Sequence, residues 1–164
     1  MKGSVTNIIL AGLGGQGVLK ASDILADAAF RAGHQVKKAE VHGMSQRGGS
    51  VTSDVRFGKA VLSPMVPSGQ TDYLVILDES QREAVRHLSG DRSILLSETL
   101  IQKDELPNSK ALNIAMLGVL STYLTIPEQA WQEAIQAAFP ERLHEANSAA
   151  FAQGRLAGNT GKGI

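Results

Sequence analysis

Two glycine-rich segments hold most of the residues whose type and spacing suit ligand chemistry in this 164-residue sequence. The first is Gly12-Leu13-Gly14-Gly15-Gln16-Gly17, with G-x-G-x-x-G spacing, directly after a predicted strand and directly before a predicted helix. Glycines there permit a tight turn and close backbone approach, and free N–H groups at a helix start attract an anion. Gln16 adds an amide that can reach a ligand or cap the turn. The continuation Gly17-Val18-Leu19-Lys20 lacks the Gly-Lys-Ser/Thr ending that grips phosphate and magnesium, which argues against a phosphate-cleaving loop. A dinucleotide site would also need an acidic residue at the end of the second strand, and Glu40 stands there. Three readings stay open: close packing alone, an anion site, or a dinucleotide site.

The second segment is Glu40-Val41-His42-Gly43-Met44-Ser45-Gln46-Arg47-Gly48-Gly49-Ser50. It offers one imidazole, one amide, one guanidinium and three glycines, and almost nothing that could form a core. Ordering such a stretch costs conformational entropy unless something organises it. Arg47 suits bidentate contact with carboxylate or phosphate. Each residue also has a plain alternative. His42 can be a hydrogen-bonded loop histidine, Arg47 can pair with Glu40 or Asp54, and Met44 can fill a gap between subunits.

The elements that must position these segments are those of an α/β fold, an open, mostly parallel sheet with helices on both faces and a helical C-terminal segment. Asn7 to Ala11 reads as a strand buried on both faces. Val18 to Ala32 carries a helical apolar stripe closed by Gly33. His34 to Val41 is a second strand, and Val51 to Phe57 alternates as a strand with one wetter face. A Pro/Gly loop from Gly58 to Thr71 leads to a strand at Tyr73 to Leu77, a short helix at Glu79 to Leu88, and a final strand at Ser93 to Leu96. Helices follow over Asn108 to Leu124, from Pro127 to Pro140, and over Arg142 to Leu156. One domain, residues 1–157, accounts for the chain, with residues 158–164 expected as a flexible tail. In an open parallel sheet the strand C-termini face the ligand crevice, so both glycine segments belong on one rim.

Composition excludes whole classes. The 16 Lys+Arg balance 16 Asp+Glu, which argues against nucleic acid as a partner. The absence of cysteine removes disulfides, thiolate metal sites, cysteine nucleophiles and any iron–sulfur cluster held by this chain alone. No apolar run approaches the ~18 residues of a membrane span, and the polar start is no signal peptide. A cytoplasmic domain is expected, with no membrane partner. If redox chemistry is involved, the electrons are carried elsewhere.

Taken together, the two glycine segments resemble the gamma subunits of 2-oxoacid:ferredoxin oxidoreductases, most closely the small (beta) subunit of the indolepyruvate branch. Gly12 to Val18 and Glu40 to Val51, with Val55-Arg56, carry the likeness. Ser63-Pro64, Asp72-Tyr73-Leu74, Asn113 to Gly118, Phe139-Pro140, Asn147, Ala150-Phe151 and Gly154-Arg155 extend it along the chain. A departure is the stretch from Ser97 to Lys110, shorter than in family members.

The resemblance implies a subunit, inactive alone, of a complex that oxidatively decarboxylates an aryl 2-oxoacid to an acyl-CoA while reducing ferredoxin. Thiamine diphosphate, Mg²⁺ and the iron–sulfur clusters are then expected in a large partner subunit, with coenzyme A as co-substrate. It implies no catalytic residue and no metal ligand here. The expected binding set toward CoA or the oxoacid carboxylate is Gly12, Gly14, Gly15, Gln16, Gly17, His42, Gly43, Met44, Ser45, Gln46, Arg47, Gly48 and Gly49. Met44, Met65, Val66 and Met116 are candidates for apolar contact surface, and a homo-oligomer is expected when the chain is expressed alone. Two other classes remain: a stand-alone nucleotide- or flavin-binding Rossmann-like domain, and a non-catalytic assembly module.

Overall fold

β1 (Thr6–Leu13) has six consecutive buried residues, because it is the middle strand of five and is covered on both faces. The computed structural model describes residues 4–42 and 49–161. α1 (Val18–Arg31), β2 (Gln35–His42), β3 (Ser50–Gly58), β4 (Tyr73–Ile76), α2 (Arg82–Val85) and β5 (Ile94–Ser97) follow. The chain then turns helical, with α3 (Leu112–Ser121), α4 (Glu128–Ala138) and α5 (His144–Gly161).

The sheet order is β2-β3-β1-β4-β5. β4 and β5 run parallel to β1, whereas β3 is antiparallel to both β1 and β2. Four strands therefore share one direction and β3 alone is reversed, so the sheet is mostly parallel. The reversal has a simple cause. Parallel neighbours need a crossover of a dozen or more residues, and only residues 43–49 connect β2 to β3.

The two faces differ. On one, α1 sets Val18, Ala21, Ile24, Leu25, Ala28 and Ala29 against Ile8, Leu10, Val55 and Phe57, and α3, α4 and α5 complete that core. α3 is buried at nine of its ten residues. It meets α5 so closely that a Cβ at Gly154 would stand 1.8 Å from the Ala115 carbonyl oxygen, a contact only glycine allows. On the other face, Val85 and Leu88 with Val66 cover Ile9, Ala11, Leu74 and Ile76. Among the described residues helices thus lie on both faces, four on one and the short α2 on the other, the latter flanked by 3₁₀ turns at Glu79–Gln81 and Arg86–Leu88.

Three expectations need correction. The helix foreseen from Asn108 begins as a 3₁₀ turn at Ser109–Ala111 and is α-helical only from Leu112. The tail foreseen from residue 158 is helix through Gly161, because Gly158 packs on Thr122 and Val119 of the preceding helical region. Met116 is core rather than contact surface. The stretch from Ser97 to Lys110 is a continuous connection with 3₁₀ turns at Glu98–Leu100 and Lys103–Glu105. Among the described residues no helix is long and apolar enough to cross a membrane.

Candidate functional site

The carboxyl ends of β1, β4 and β5 and the start of β3 form one rim. There the first glycine segment meets the end of the second: the Gly14 N–H donates to the Gly49 carbonyl over 3.0 Å. The ladder continues below, with Leu13 opposite Ser50 and Gly12 opposite Val51. Residues 43–48 of the second segment (Gly43, Met44, Ser45, Gln46, Arg47 and Gly48) lie outside the described residues, as does the His42 side chain at the end of β2.

Space dictates the first segment. A Cβ at Gly12 would stand 2.9 Å from both Gln16 Oε1 and Val18 Cγ2. Gly17 precedes α1 with φ +79°, and a Cβ there would lie 2.4 Å from Asn113 Nδ2. That amide instead donates to the Gly17 carbonyl at 3.2 Å, while Asn113 Oδ1 accepts from the Ile114 N–H at 2.9 Å. The start of α3 thereby clamps the start of α1. Gly17 at the N-cap has no side chain to offer, so among the described residues no N-cap side chain takes up the first N–H groups of α1. Gly14 and Gly15 are exposed beside them.

Gln16 is a brace. Its Oε1 accepts from the Leu13 N–H at 2.7 Å and its Nε2 donates to Asp78 Oδ2 at 2.7 Å. Both ends of the amide are engaged inside the protein, so of the two roles open to Gln16 the structure displays the holding of the turn.

Asp78 lies two residues past the end of β4 and opens the next turn, accepting from the Ser80 N–H at 3.0 Å and the Ser80 hydroxyl at 2.5 Å. These Ser80 contacts, then the Gln16 amide, hold its carboxyl below the usual aspartate range against the opposing effect of burial. Glu79 is likewise lowered, chiefly by Arg82 and then by the Ser97 hydroxyl. Its N–H donates to Glu98 Oε1 at 2.7 Å, and Glu98, only 8% exposed, is paired with Lys103. The Ser50 hydroxyl donates to Gln81 Oε1. A polar chain therefore ties the starts of β3 and α1 to the ends of β4 and β5.

Sequence reasoning missed Asp78, Gln81 and Glu98. The signal for Asp78 was present, since it comes immediately after an apolar strand whose end must face the crevice. Glu40, by contrast, does not complete a dinucleotide site. β2 is an edge strand separated from β1 by the reversed β3, and Glu40 is exposed and bonded to Lys38 at 2.6 Å. Among the described residues no group of three or more His, Asp or Glu side chains is placed to hold a metal.

The arrangement offers backbone amides and an uncapped helix start to an anion, inside a frame of side chains already bonded to one another. Comparison with known proteins gives the chain a family. The profile of the pyruvate ferredoxin/flavodoxin oxidoreductase family matches residues 7–107 and 92–157. The indolepyruvate oxidoreductase subunit IorB of Thermococcus kodakarensis is 52% identical over 83 residues, 51% of this chain and 40% of that protein's length. The pyruvate/ketoisovalerate oxidoreductases common subunit gamma of the same organism is 29% identical over 165 residues, 85% of this chain and 89% of the other. The keto/oxoacid ferredoxin oxidoreductase gamma subunit from Geobacter sulfurreducens has the same fold, with a TM-score of 0.78 at 22% identity, over 96% of this chain and 98% of that one. A 2-oxoglutarate:ferredoxin oxidoreductase from Magnetococcus marinus, solved with 2-oxoglutarate, coenzyme A and succinyl-CoA bound, matches with a TM-score of 0.80 at 21% identity, over 95% of this chain and 31% of its own. With the family profile spanning nearly the whole sequence, the chain belongs to the pyruvate ferredoxin/flavodoxin oxidoreductase family.

Proposed function

We propose that this chain is the small, gamma-type subunit of a 2-oxoacid:ferredoxin oxidoreductase whose substrate is an arylpyruvate such as indolepyruvate. The 52% identity to an indolepyruvate oxidoreductase subunit carries the substrate class. In the overall reaction one 2-oxoacid, one CoA and two oxidised ferredoxins give one acyl-CoA, one CO₂, two reduced ferredoxins and a proton. Thiamine diphosphate with Mg²⁺ in the large partner supplies the carbon chemistry, and clusters there carry the electrons. This chain has no cysteine to ligate a cluster, so its donor set does not fit that group.

The work of this chain is binding and orientation. With the Gly14 N–H committed to Gly49, the Gly15 N–H and the N–H groups at the start of α1 are the donors for an anionic group of CoA or the oxoacid carboxylate. Gly49 holds the second glycine segment against the first through its bond to Gly14. Gln16 and Asp78 keep the turn rigid, so little ordering cost remains at binding.

Co-purification from the native cell tests the reading. A stoichiometric iron–sulfur partner with arylpyruvate-dependent and CoA-dependent viologen reduction is the expected result. Reduction that proceeds without CoA, or a chain that purifies alone with bound nucleotide or flavin, overturns it.

A further inference from the structure

The face of the sheet away from α1 holds a cavity of 430 Å³ that the proposed function does not use. Its size falls within the range of small-molecule sites, about 300–1,000 Å³. Ile9, Val41, Met65, Val66, Val85 and Leu88 give it apolar walls. Among the described lining residues Asp54, on β3, is the one carboxylate and is 8% exposed, and His87 is the one other titratable group.

The cavity owes its roof to a strap. Residues between β3 and β4 are held over the sheet by three charged side chains. Lys37 Nζ donates to the Leu62 carbonyl at 3.4 Å, Arg56 Nη1 donates to the Ser63 carbonyl at 2.8 Å, and Asp54 Oδ2 accepts from the Val66 N–H at 2.9 Å. Lys37 and Arg56 are thus turned toward the strap's backbone. Neither contributes to the cavity lining. Among the described residues the Val66 N–H is the single donor given to the Asp54 carboxylate, which leaves its other oxygen for a ligand. Burial outweighs the Val66 bond and the nearby Arg56 charge, raising the Asp54 carboxyl above the usual aspartate range. Among the described residues Asp54 has no ion-pair partner, and a buried carboxylate in that condition is one that a cationic ligand relieves.

We infer that this cavity is a binding site for a compact apolar amine, with the ammonium group on Asp54 and the hydrocarbon against Ile9, Val66, Val85 and Leu88. The same charge disfavours anions, so neither a 2-oxoacid carboxylate nor a CoA phosphate belongs in it.

The test uses the full chain and three probes of one shape: 2-phenylethylamine, neutral 2-phenylethanol and anionic 3-phenylpropanoate. Calorimetry and methyl NMR read affinity and location. The amine is expected to bind saturably, about tenfold or more tighter than the alcohol, the usual strength of a charge-assisted hydrogen bond. The anion is expected not to bind, and the methyl signals of Val41, Met65, Val66 and Val85 are expected to shift. Asp54→Asn keeps an acceptor for the Val66 N–H and therefore the strap, yet should erase the preference for amine over alcohol. No saturable amine binding, equal binding of amine and alcohol, or shifts confined to other methyls overturns the proposal. So does a preference that survives in Asp54→Asn. If that variant fails to fold, the amine-to-alcohol ratio in the unmodified chain decides by itself.

Discussion

The two faces of the sheet solve opposite problems with the same five strands. One face carries α1, α3, α4 and α5, and its core includes Trp131, Phe151, Leu10 and Met116 with essentially no exposure. The other carries a single turn of α-helix and a strap held by charged side chains, and presents Leu62 and Met65 to solvent at 91% and 57% exposure. Apolar packing fixes the first face, whereas on the second, hydrogen bonds to backbone groups hold the strap beside a much smaller apolar cluster. The rim lies between them, where Asn113 reaches from the sealed side to the glycine turn and Ser50 and Gln81 join the strand ends. A rigid helical layer thus sets the position of a glycine turn that has few side chains of its own.

The largest test of the contrast is Trp131→Ala. Trp131 is fully buried, with its ring 5.6 Å from that of Phe151, so its removal leaves a cavity that α1 and α5 cannot fill. A loss of about 3–5 kcal/mol is expected in urea unfolding. A loss below 1 kcal/mol, on the same scale as surface changes, would mean the helical layer is not what holds this face.

Next in size is Gly17→Ala at the rim. A side chain there needs an unfavourable left-handed backbone and collides with the Asn113 amide. The expected cost is about 1–3 kcal/mol of stability, read by thermal unfolding. In the reconstituted complex the KM for CoA should rise more than kcat falls, if the turn binds rather than reacts. Unchanged CoA saturation with the stability loss intact would reduce the first glycine segment to packing alone.

Much of this division was legible in the residues. The apolar run before Gly12 and the stripe after Gly17 gave β1, the turn and α1 in order, because periodicity and glycine placement are local signals. Residues 51–57 were legible as a strand but not as a reversed one, since alternation carries no direction. The short link from β2 to β3 was the available clue, and it removes the Rossmann geometry that Glu40 needed. Gln16 and Asp78 were illegible as a pair because 62 residues separate them and only the sheet brings them together. The cavity above Asp54 was hidden for the same reason: its walls come from β1, β2, β3, α2 and the strap.

Acid titration sets the rim against the open face with opposite signs. Asp78 is held below its unfolded value, so it adds stability above the usual aspartate range and loses it as pH falls through the lowered value. Asp54 is raised, so its ionised form costs stability at neutral pH, and that cost disappears as pH falls through the raised value. Relative to the unmodified chain, Asp78→Asn should therefore lose stability with rising pH and Asp54→Asn should gain it. Each change should stay within about 1 kcal/mol, measured by urea unfolding across a pH series. Slopes of the same sign in both variants would contradict the assignment of one carboxylate to a polar rim and the other to an apolar cavity.

The smallest expected effect belongs to Leu62→Ser. At 91% exposure the Leu62 side chain already stands in water, so its removal returns almost no transfer free energy. The strap is held at this position through the Leu62 carbonyl, which the substitution leaves in place for Lys37. Stability should stay within about 0.5 kcal/mol of the unmodified chain by urea unfolding. A loss of 2 kcal/mol or more, on the scale of core truncations, would mean that Leu62 is covered in solution. The second face would then be held by packing as the first is, and the contrast between them would fail.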